Sequence, residues 1–514
     1  MTISITQNKV VSVKVLHLDE LGYGPQGQYT RRAWRAECLE KLFAGKDQFE
    51  NWQQSWQNKI NKKLPTVSFD CELQYEDGSL QRVEKSVPYA LDFAGEWFDL
   101  RLNLSNYNFN LPIIFIGAMF DGLVNFGSAT YTGNANFGSA TFTENANFGS
   151  ATFGWVNFSS ATFAGGAHFS NATFTGGADF DNTKFVSYAG FHSVSFAVFA
   201  NFGSATFTED AHFGSVIFTG DAGFSRVAFT GEAGFRGATF TGDAYFISAT
   251  FTGRANFKLT TFNQLCLFDN HDNENARQWN KATKFDSKAD FENATFKNVG
   301  HFERVKFTNH IPSFLGVDTA STRLEFSDDT YFARHDVSED AVRRLGHLKR
   351  LADEHGQIDQ ALTFNALELH AKAAQLTASL ATKFVTGAYE VFSDYGRSFT
   401  LPIGWLGFFL WLSFLFGLIS PYVNVAPKST YCADMAKNIT ISTPRAAFEY
   451  ALFRASGAID FTDADKQNNV VNCQIFNQPI EPWWMRVWGI FKAIASLALL
   501  FLAALGLRNN YRVR

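Results

Sequence analysis

The sequence predicts a mainly β solenoid, with an α+β region before it and a helical linker and two membrane-spanning helices after it. Three observations carry that expectation. An aromatic residue or leucine recurs every five or six positions from residue 93 to residue 268 and again from 285 to 307, the composition shifts abruptly near residue 339, and two apolar stretches, the first without a charge, lie near the carboxyl end. The 57 Phe among 514 residues, against 4 Met and 11 Pro, belong mostly to the first of these patterns.

Residues 1–92 lack the rhythm and read as a cap for one end of the solenoid. Within them "RRAWRAECLEKLFAGKDQFENWQQSWQNKI" has helical apolar spacing, and "VSFDCELQYEDGSLQRVEKSV" reads as two alternating strands joined at Asp77-Gly78. A cap is needed because the last coil of a solenoid otherwise offers open strand edges. The opening "MTISITQNKVV" shows no basic segment followed by an apolar run, so the expectation is that the bulk of the chain stays in the cytoplasm.

Residues 93–310 form the solenoid expected from the repeat. The stations Phe93, Phe98, Leu104, Phe109 and Phe115 begin an alternation of five and six that runs to Phe268, broken once by a missing residue near Trp155. There are 33 stations on an eleven-residue period, and Phe285, Phe291, Phe296, Phe302 and Phe307 resume it after an insertion. An eleven-residue period also suits a right-handed helical supercoil. The abundance of Gly, Thr, Ser and Asn, poor helix formers, rejects that solution. In the β alternative each Phe, with the Ala two residues before it, points inward. Phe137, Phe142, Phe148, Phe153, Phe202, Phe207, Phe213 and Phe218 exemplify the inward ladder.

The "ATF" and "ANF" triplets on this period resemble the Phe-centred variety of pentapeptide-repeat proteins. The resemblance implies a right-handed quadrilateral β-helix, four short sides to a coil, with the sixth residue of alternate sides at a corner. The 33 stations then make about eight coils, about 40 Å tall at strand spacing. Some members of that family mimic DNA and act on gyrase through an acidic face. Here the corner positions place Asp210 and Glu232, with Arg254, on one edge and Asp221 and Asp243 on the opposite one. That column is short, and neutral Thr, Asn and Ser dominate around it. A net charge of -5 also disfavours direct nucleic-acid binding.

No catalytic residues, cofactor or metal site are expected. His168 and His212 each precede an inward Phe and so point outward about two coils apart, with no accompanying ligands at zinc spacing. The loop "DNHDNE" from Asp269 lacks the glycine and distal glutamate of a calcium loop.

Residues 311–395 read as a helical linker. Asp336 with Glu339 suggests a cap, and Val342, Leu345, Leu348 and Ala352 one apolar face. A second helix would carry Leu362, Leu369, Leu376 and Leu380 in a stripe suited to a hairpin or self-association. Residues 396–514 form the expected membrane domain, with spans at 401–420 and 487–507 and an external connection at 421–482. Trp483, Trp484 and Trp488 mark a headgroup boundary, and Arg508, Arg512 and Arg514 against Arg486 place the carboxyl end inside. Within the connection, the stretch from Arg445 to Asp460 could dip into the membrane as a short half-helix.

Cys432 and Cys473 are the two cysteines of the external connection and could pair there, while Cys38, Cys71 and Cys266 stay reduced. Lys492, about five residues inside the second span, is either a functional intramembrane charge or a side chain that snorkels to the boundary.

The pieces "LKRLADEHGQIDQALTFNALELHAK", "SDYGRSFTLPIGW" and "LALLFLAALGLRNNYRVR" look like the carboxyl-terminal module of bacterial membrane pentapeptide-repeat proteins, a paired-helix linker before two spans sometimes described as ion-channel-like. The resemblance implies a bacterial inner-membrane protein with cytoplasmic termini. The leading expectation is a non-enzymatic scaffold, anchored in lipid, whose β-helix docks an unknown cytoplasmic protein. Two alternatives are an oligomeric channel made by the tail, since two helices cannot enclose a pore alone, and a gyrase-directed DNA mimic.

Overall fold

A computed structural model describes residues 10–15, 31–59, 66–75, 80–88, 90–99, 101–269, 281–318, 323–327, 329–334, 336, 338–375, 378–395, 397–423, 432, 444–445, 448, 473, 475 and 483–510. The chain forms two compact units, Met1–His355 and Gly356–Arg514.

The first unit is dominated by two-residue strands stacked in parallel into four faces. Face one starts at Leu91–Asp92, face two at Trp97–Phe98, face three at Leu102–Asn103 and face four at Asn108–Phe109. Faces one and two hold eleven strands each, and faces three and four hold nine each. The register advances by one coil of 22 residues, as in Val124↔Ala146 and Thr206↔Ala228. The missing residue near Trp155 shortens one coil to 21, seen in Ala135↔Val156 and Ala146↔Ala167. The insertion after residue 268 lengthens one to 34, as in Thr250↔Lys284. Face register is preserved through both irregularities, because a one-residue slip would turn the aromatic side chains outward.

The tower is taller than the eight coils and 93–310 limits expected from the stations. Strands Leu324–Glu325 and Tyr331–Phe332 pair with Gly300–His301 and Lys306–Phe307, so about ten coils stack and what reads as the start of a linker is solenoid. Phe314 stacks on Phe291 at 4.8 Å and Phe332 on Phe307 at 5.4 Å, so the ladders continue after the spacing has lapsed.

Every named ladder residue, from Phe137 to Phe218, is buried. Rings one coil apart stack nearly parallel, as in Phe142–Phe163 at 4.6 Å and Phe202–Phe224 at 4.9 Å. Rings on faces one and three meet edge to face across the interior, as Phe202 and Phe213 do at 5.4 Å and 86°. Both geometries avoid a face-to-face clash of ring quadrupoles. Tyr131 takes a Phe position between Phe109 and Phe153, and its hydroxyl has no hydrogen-bond partner among the described residues. Tyr131→Phe is therefore expected to raise stability by about 1–3 kcal/mol, because it removes an unsatisfied buried group, and a shift in melting temperature checks it.

Each letter of the repeat has a physical role. After a face-one or face-three station the chain turns tightly: Ala129 N–H donates to Phe126 O at 3.0 Å, and Ser128 takes φ 56°. The Asn before the station accepts from the turn, as Asn125 Oδ1 does from Gly127 N–H at 2.9 Å. The other two corners are wider and often begin Thr-Gly, as at Thr219-Gly220-Asp221. Thr175 Oγ1 donates to Phe153 O at 2.9 Å. A Cβ on Gly231 would lie 2.5 Å from Glu209 C of the preceding coil, so at this corner the close stacking needs glycine.

The amino-terminal region consists of helices α1 (Arg31–Phe43) and α2 (Lys46–Lys59), separated at Gly45 with φ 100°, and the antiparallel sheet β1 (Val10–Val15), β2 (Thr66–Tyr75), β3 (Leu80–Pro88) in that order. The turn at Asp77-Gly78 lies outside the described residues. Helix α2 closes the open edge of face four. Gln53 Nε2 donates to Asn108 O at 3.0 Å and Gln53 Oε1 accepts from Asn110 N–H at 3.1 Å, so its amide stands where a preceding coil's peptide would be. Glu50 Oε1 accepts from Asn108 N–H at 2.8 Å. Gln53→Ala is expected to cost about 1–3 kcal/mol, seen as faster hydrogen exchange at the Asn110 amide.

The carboxyl end of the tower is closed by α3 (Ala341–Glu354), which buries Leu345, Leu348 and Leu351. Asp336 does not cap this helix with Glu339, as the sequence suggests. Asp340 occupies the cap position, and Asp336 is buried against Arg344 at 3.1 Å. The reason is demand: Asp336 also accepts from Ile311 N–H at 2.8 Å and Ser338 N–H at 3.0 Å, satisfying backbone where the last coil ends.

In the second unit, α4 (Ile358–Ala374), α5 (Leu380–Ser393), α6 (Thr400–Val423) and α7 (Trp483–Asn510) follow, with α5, α6 and α7 packed against one another. The expected leucine stripe is not continuous. The chain leaves helix at Gln375, Leu376 lies outside the described residues, and Leu380 begins a new helix at 86% exposure, capped by Ser379 Oγ. Among the described residues one helix is long and apolar enough to cross a membrane, over Ile490–Arg508 in α7, and a shorter apolar run covers Thr400–Leu415 in α6.

Candidate docking surface

The corner carboxylates are parts of the tower's own bonding. Asp210 Oδ1 accepts from Glu232 N–H at 2.8 Å, Asp221 Oδ1 from Asp243 N–H at 3.0 Å, and Asp243 Oδ1 from Leu265 N–H at 3.1 Å. Each stitches one coil to the next where no strand ladder reaches. Asp243 Oδ2 also accepts from Tyr245 Oη at 3.1 Å, and burial together with that carboxylate pushes the Tyr245 phenol up to about 12. The column on the other edge runs into cations, with Arg254 and Lys258 3.2 and 3.4 Å from Asp290. The surface is thus a mixed-charge face with one oxygen of each stitching aspartate already engaged.

One coil breaks the polar pattern. Where the preceding coil carries Ala164-Gly165-Gly166 and Thr175-Gly176-Gly177 and the following one Thr208-Glu209-Asp210 and Thr219-Gly220-Asp221, the corner before face three reads Val186-Ser187-Tyr188 and the corner before face one reads Ala197-Val198-Phe199. Val186 and Val198 are 45% and 47% exposed, and Tyr188 and Phe199 38% and 42%. The two corners lie on opposite edges. On the first, the Tyr188 ring lies between His168 and His212, 5.7 and 5.4 Å away, above Gly190, where a Cβ would meet it at 2.8 Å. On the second, Phe199 covers Gly177, whose Cβ would fall 2.3 Å from the ring. These glycines are seats for the two rings. Sequence reading singled out the acidic corners and the two histidines and passed over this coil, although the departure from its neighbours is visible in the string.

No group of His, Cys, Asp and Glu among the described residues could hold a metal ion. The loop after Asp269 lies outside the described residues, and Asp269 itself bonds Arg304 through both oxygens, at 2.8 and 2.5 Å. Cys432 and Cys473 form a disulfide with Cα atoms 5.3 Å apart. Cys38 and Cys266 are buried free thiols, pushed well above the usual range by burial, and the Cys71 side chain lies outside the described residues. Lys492 is 1% exposed within its unit, so its side chain turns into the helix assembly, as Ser496 does, and does not reach outward. The half-helix suggested for 445–460 falls almost wholly outside the described residues.

"SDYGRS" is a helix-ending lock. Asp394 closes α5 in the left-handed region at φ 47°, Arg397 grips its carboxylate at 2.9 and 3.0 Å, and Tyr395 Oη donates to Glu390 Oε2 at 3.2 Å.

Four parallel ladders around an aromatic interior define a β-solenoid repeat protein. Its particular kind follows from comparison: a family profile described as pentapeptide repeats (9 copies) matches residues 115–162, 154–184 and 224–270. The tower of this chain is a pentapeptide-repeat solenoid, a fold that is typically an interaction scaffold and generally non-catalytic. No curated protein and no solved structure matches the chain.

Proposed function

We propose that the protein is a non-enzymatic, membrane-anchored scaffold whose tower docks a protein partner through the Val186–Phe199 coil. The observation that carries this is the replacement of both corners of one coil by exposed apolar side chains, on a tower whose corner aspartates Asp210 and Asp221 are engaged in holding coils together. Exposed aromatics beside polar neighbours are the usual composition of binding hot spots. The apolar α6 and α7 support the anchor. In this reading the tower and both ends face the cytoplasm, and the Cys432–Cys473 disulfide lies on the oxidising side.

Photo-crosslinking side chains at positions 188 and 199 of the full chain, expressed in its host, test docking. Adducts of one defined mass at these positions and none at Thr239 are expected. Their absence removes the docking reading. Retention in the membrane pellet after alkaline carbonate washing tests the anchor separately.

A second reading, an oligomeric channel, is favoured by Lys492 turning inward in α7, since an intramembrane charge marks functional sites. It expects an oligomeric mass in detergent and ion flux in liposomes that Lys492→Ala changes. A monomer excludes it.

A further inference from the structure

Helix α5 is amphipathic the wrong way round for a helix in water. On a helical wheel Leu380, Ala381, Phe384, Val385, Ala388, Val391 and Phe392 fall on one arc, and Thr382, Lys383, Thr386, Glu390 and Ser393 on the other. Toward its carboxyl-terminal end the polar arc meets protein. Glu390 Oε1 lies 3.1 Å from His370 Nε2 of α4, Glu390 Oε2 accepts from Tyr395 Oη, and Ser393 is buried. The apolar arc points out: Leu380 is 86% exposed, Phe384 78%, Val385 64% and Val391 54%. Four large apolar side chains left out on one 14-residue helix require an apolar neighbour.

The position of the helix says what that neighbour is. Trp405 Nε1, in the second turn of α6, donates to Val391 O at 3.1 Å, and its ring meets Phe392 at 5.1 Å. Tryptophan favours the headgroup level of a bilayer, so the end of α5 is pinned at that depth. The same Trp405 lines an open apolar groove with Leu401, Gly404 and Phe408. Beyond it α6 and α7 continue the exposed apolar surface through Trp411, Ile494, Leu497 and Phe501. At 14 residues, about 21 Å, α5 is too short to cross a bilayer.

We propose that α5 is an interfacial helix, its Leu380–Phe384–Val391 arc sunk into the headgroup–acyl boundary of the leaflet that α6 enters. Lys383, at the margin of the arc, reaches up to the phosphates. This rests on the reading of α6 and α7 as membrane-embedded. Its consequence is that the chain approaches the first span along the membrane plane, and α4, held to the polar arc by His370, is carried on the same surface.

The test uses full-length protein in vesicles of phosphatidylethanolamine and phosphatidylglycerol, with single substitutions Phe384→Cys, Thr382→Cys and Leu497→Cys labelled with an environment-sensitive fluorophore, and wild type carried through as background. Lipids with a quencher near the headgroup end of the acyl chain are expected to quench the label at 384 roughly threefold more than that at 382, with the label at 497 also quenched. Equal quenching at 384 and 382, with 497 quenched, overturns the interfacial helix and leaves the anchor standing. No quenching at any of the three overturns the anchor itself. An unquenched label at 384, with ready disulfide cross-linking between chains of the unlabelled Phe384→Cys variant, overturns the proposal in favour of a second copy of the chain on this face.

Discussion

Arg344→Ala is expected to cost about 3–5 kcal/mol at the carboxyl end of the tower, because it leaves a buried carboxylate without its cation. The side chains of Arg344 and Asp336 are only 7% and 2% exposed. Arg344 Nη1 also donates to Ile311 O, and Nη2 to Ser338 Oγ, so one guanidinium ties α3 to the segment that ends the coils. Fraying from Ile311 onward, read by limited proteolysis and hydrogen exchange, should precede global unfolding, since a solenoid loses its terminal units first. The same cluster fixes a pH dependence. Burial pushes the Asp336 carboxyl up, but Ser338, the Ile311 N–H and Arg344 outweigh it and hold it below its ordinary value. A depressed carboxyl stabilises the fold fully above the unfolded value of about 3.9, and that contribution is lost as pH falls below it through the lower folded value. The terminal fraying seen in Arg344→Ala at neutral pH should therefore appear in wild type only on acidification.

Phe202→Ala is the second large effect, about 3–5 kcal/mol for a fully buried ring that leaves a cavity. Phe202 stacks on Phe180 at 4.8 Å and Phe224 at 4.9 Å and meets Phe191 and Phe213 edge-on at 5.4 Å each, so the cavity opens at a crossing of ladders. Because each coil touches only its neighbours, the loss should concentrate near the middle, with exchange rising around Phe180–Phe224 while the amide of Asn110 under Gln53 stays protected. Uniform exchange along the whole tower would contradict this. Phe384→Ala, by contrast, should change stability by less than about 0.5 kcal/mol in detergent, since that ring touches little of the chain itself.

The ladders were legible because the fold repeats one local rule. A buried Phe with a buried Ala two residues earlier is a period-two pattern, and its recurrence every five or six residues names the corners as well. Corner chemistry was half legible. Asn before the station and Gly in the wide corner are visible letters, but that Asp221 and Asp243 bond the coils and do not form a free acidic face depends on where the next coil's N–H falls, 22 residues on. The closing coils were missed for a related reason: Phe314 and Phe332 keep the interior stack while the connections between them vary in length, so the rhythm fails before the fold does. The break at Gln375 was also hidden, because Leu376 and Leu380 fit a helical stripe as letters although Leu380 belongs to another helix.

What the sequence determined by itself is the interior: repetition of apolar size and spacing leaves a chain of this composition one way to bury its rings, coil upon coil. What only the tertiary structure decided is how the ends and exceptions are used. Gln53 standing in for a missing strand, Asp336 turned inward to Arg344, Tyr188 and Phe199 seated over glycines, and the apolar arc of α5 turned outward all depend on groups far apart in the chain. Periodic burial is a local property of a string, whereas satisfying an open edge or a lone charge depends on which distant group arrives there.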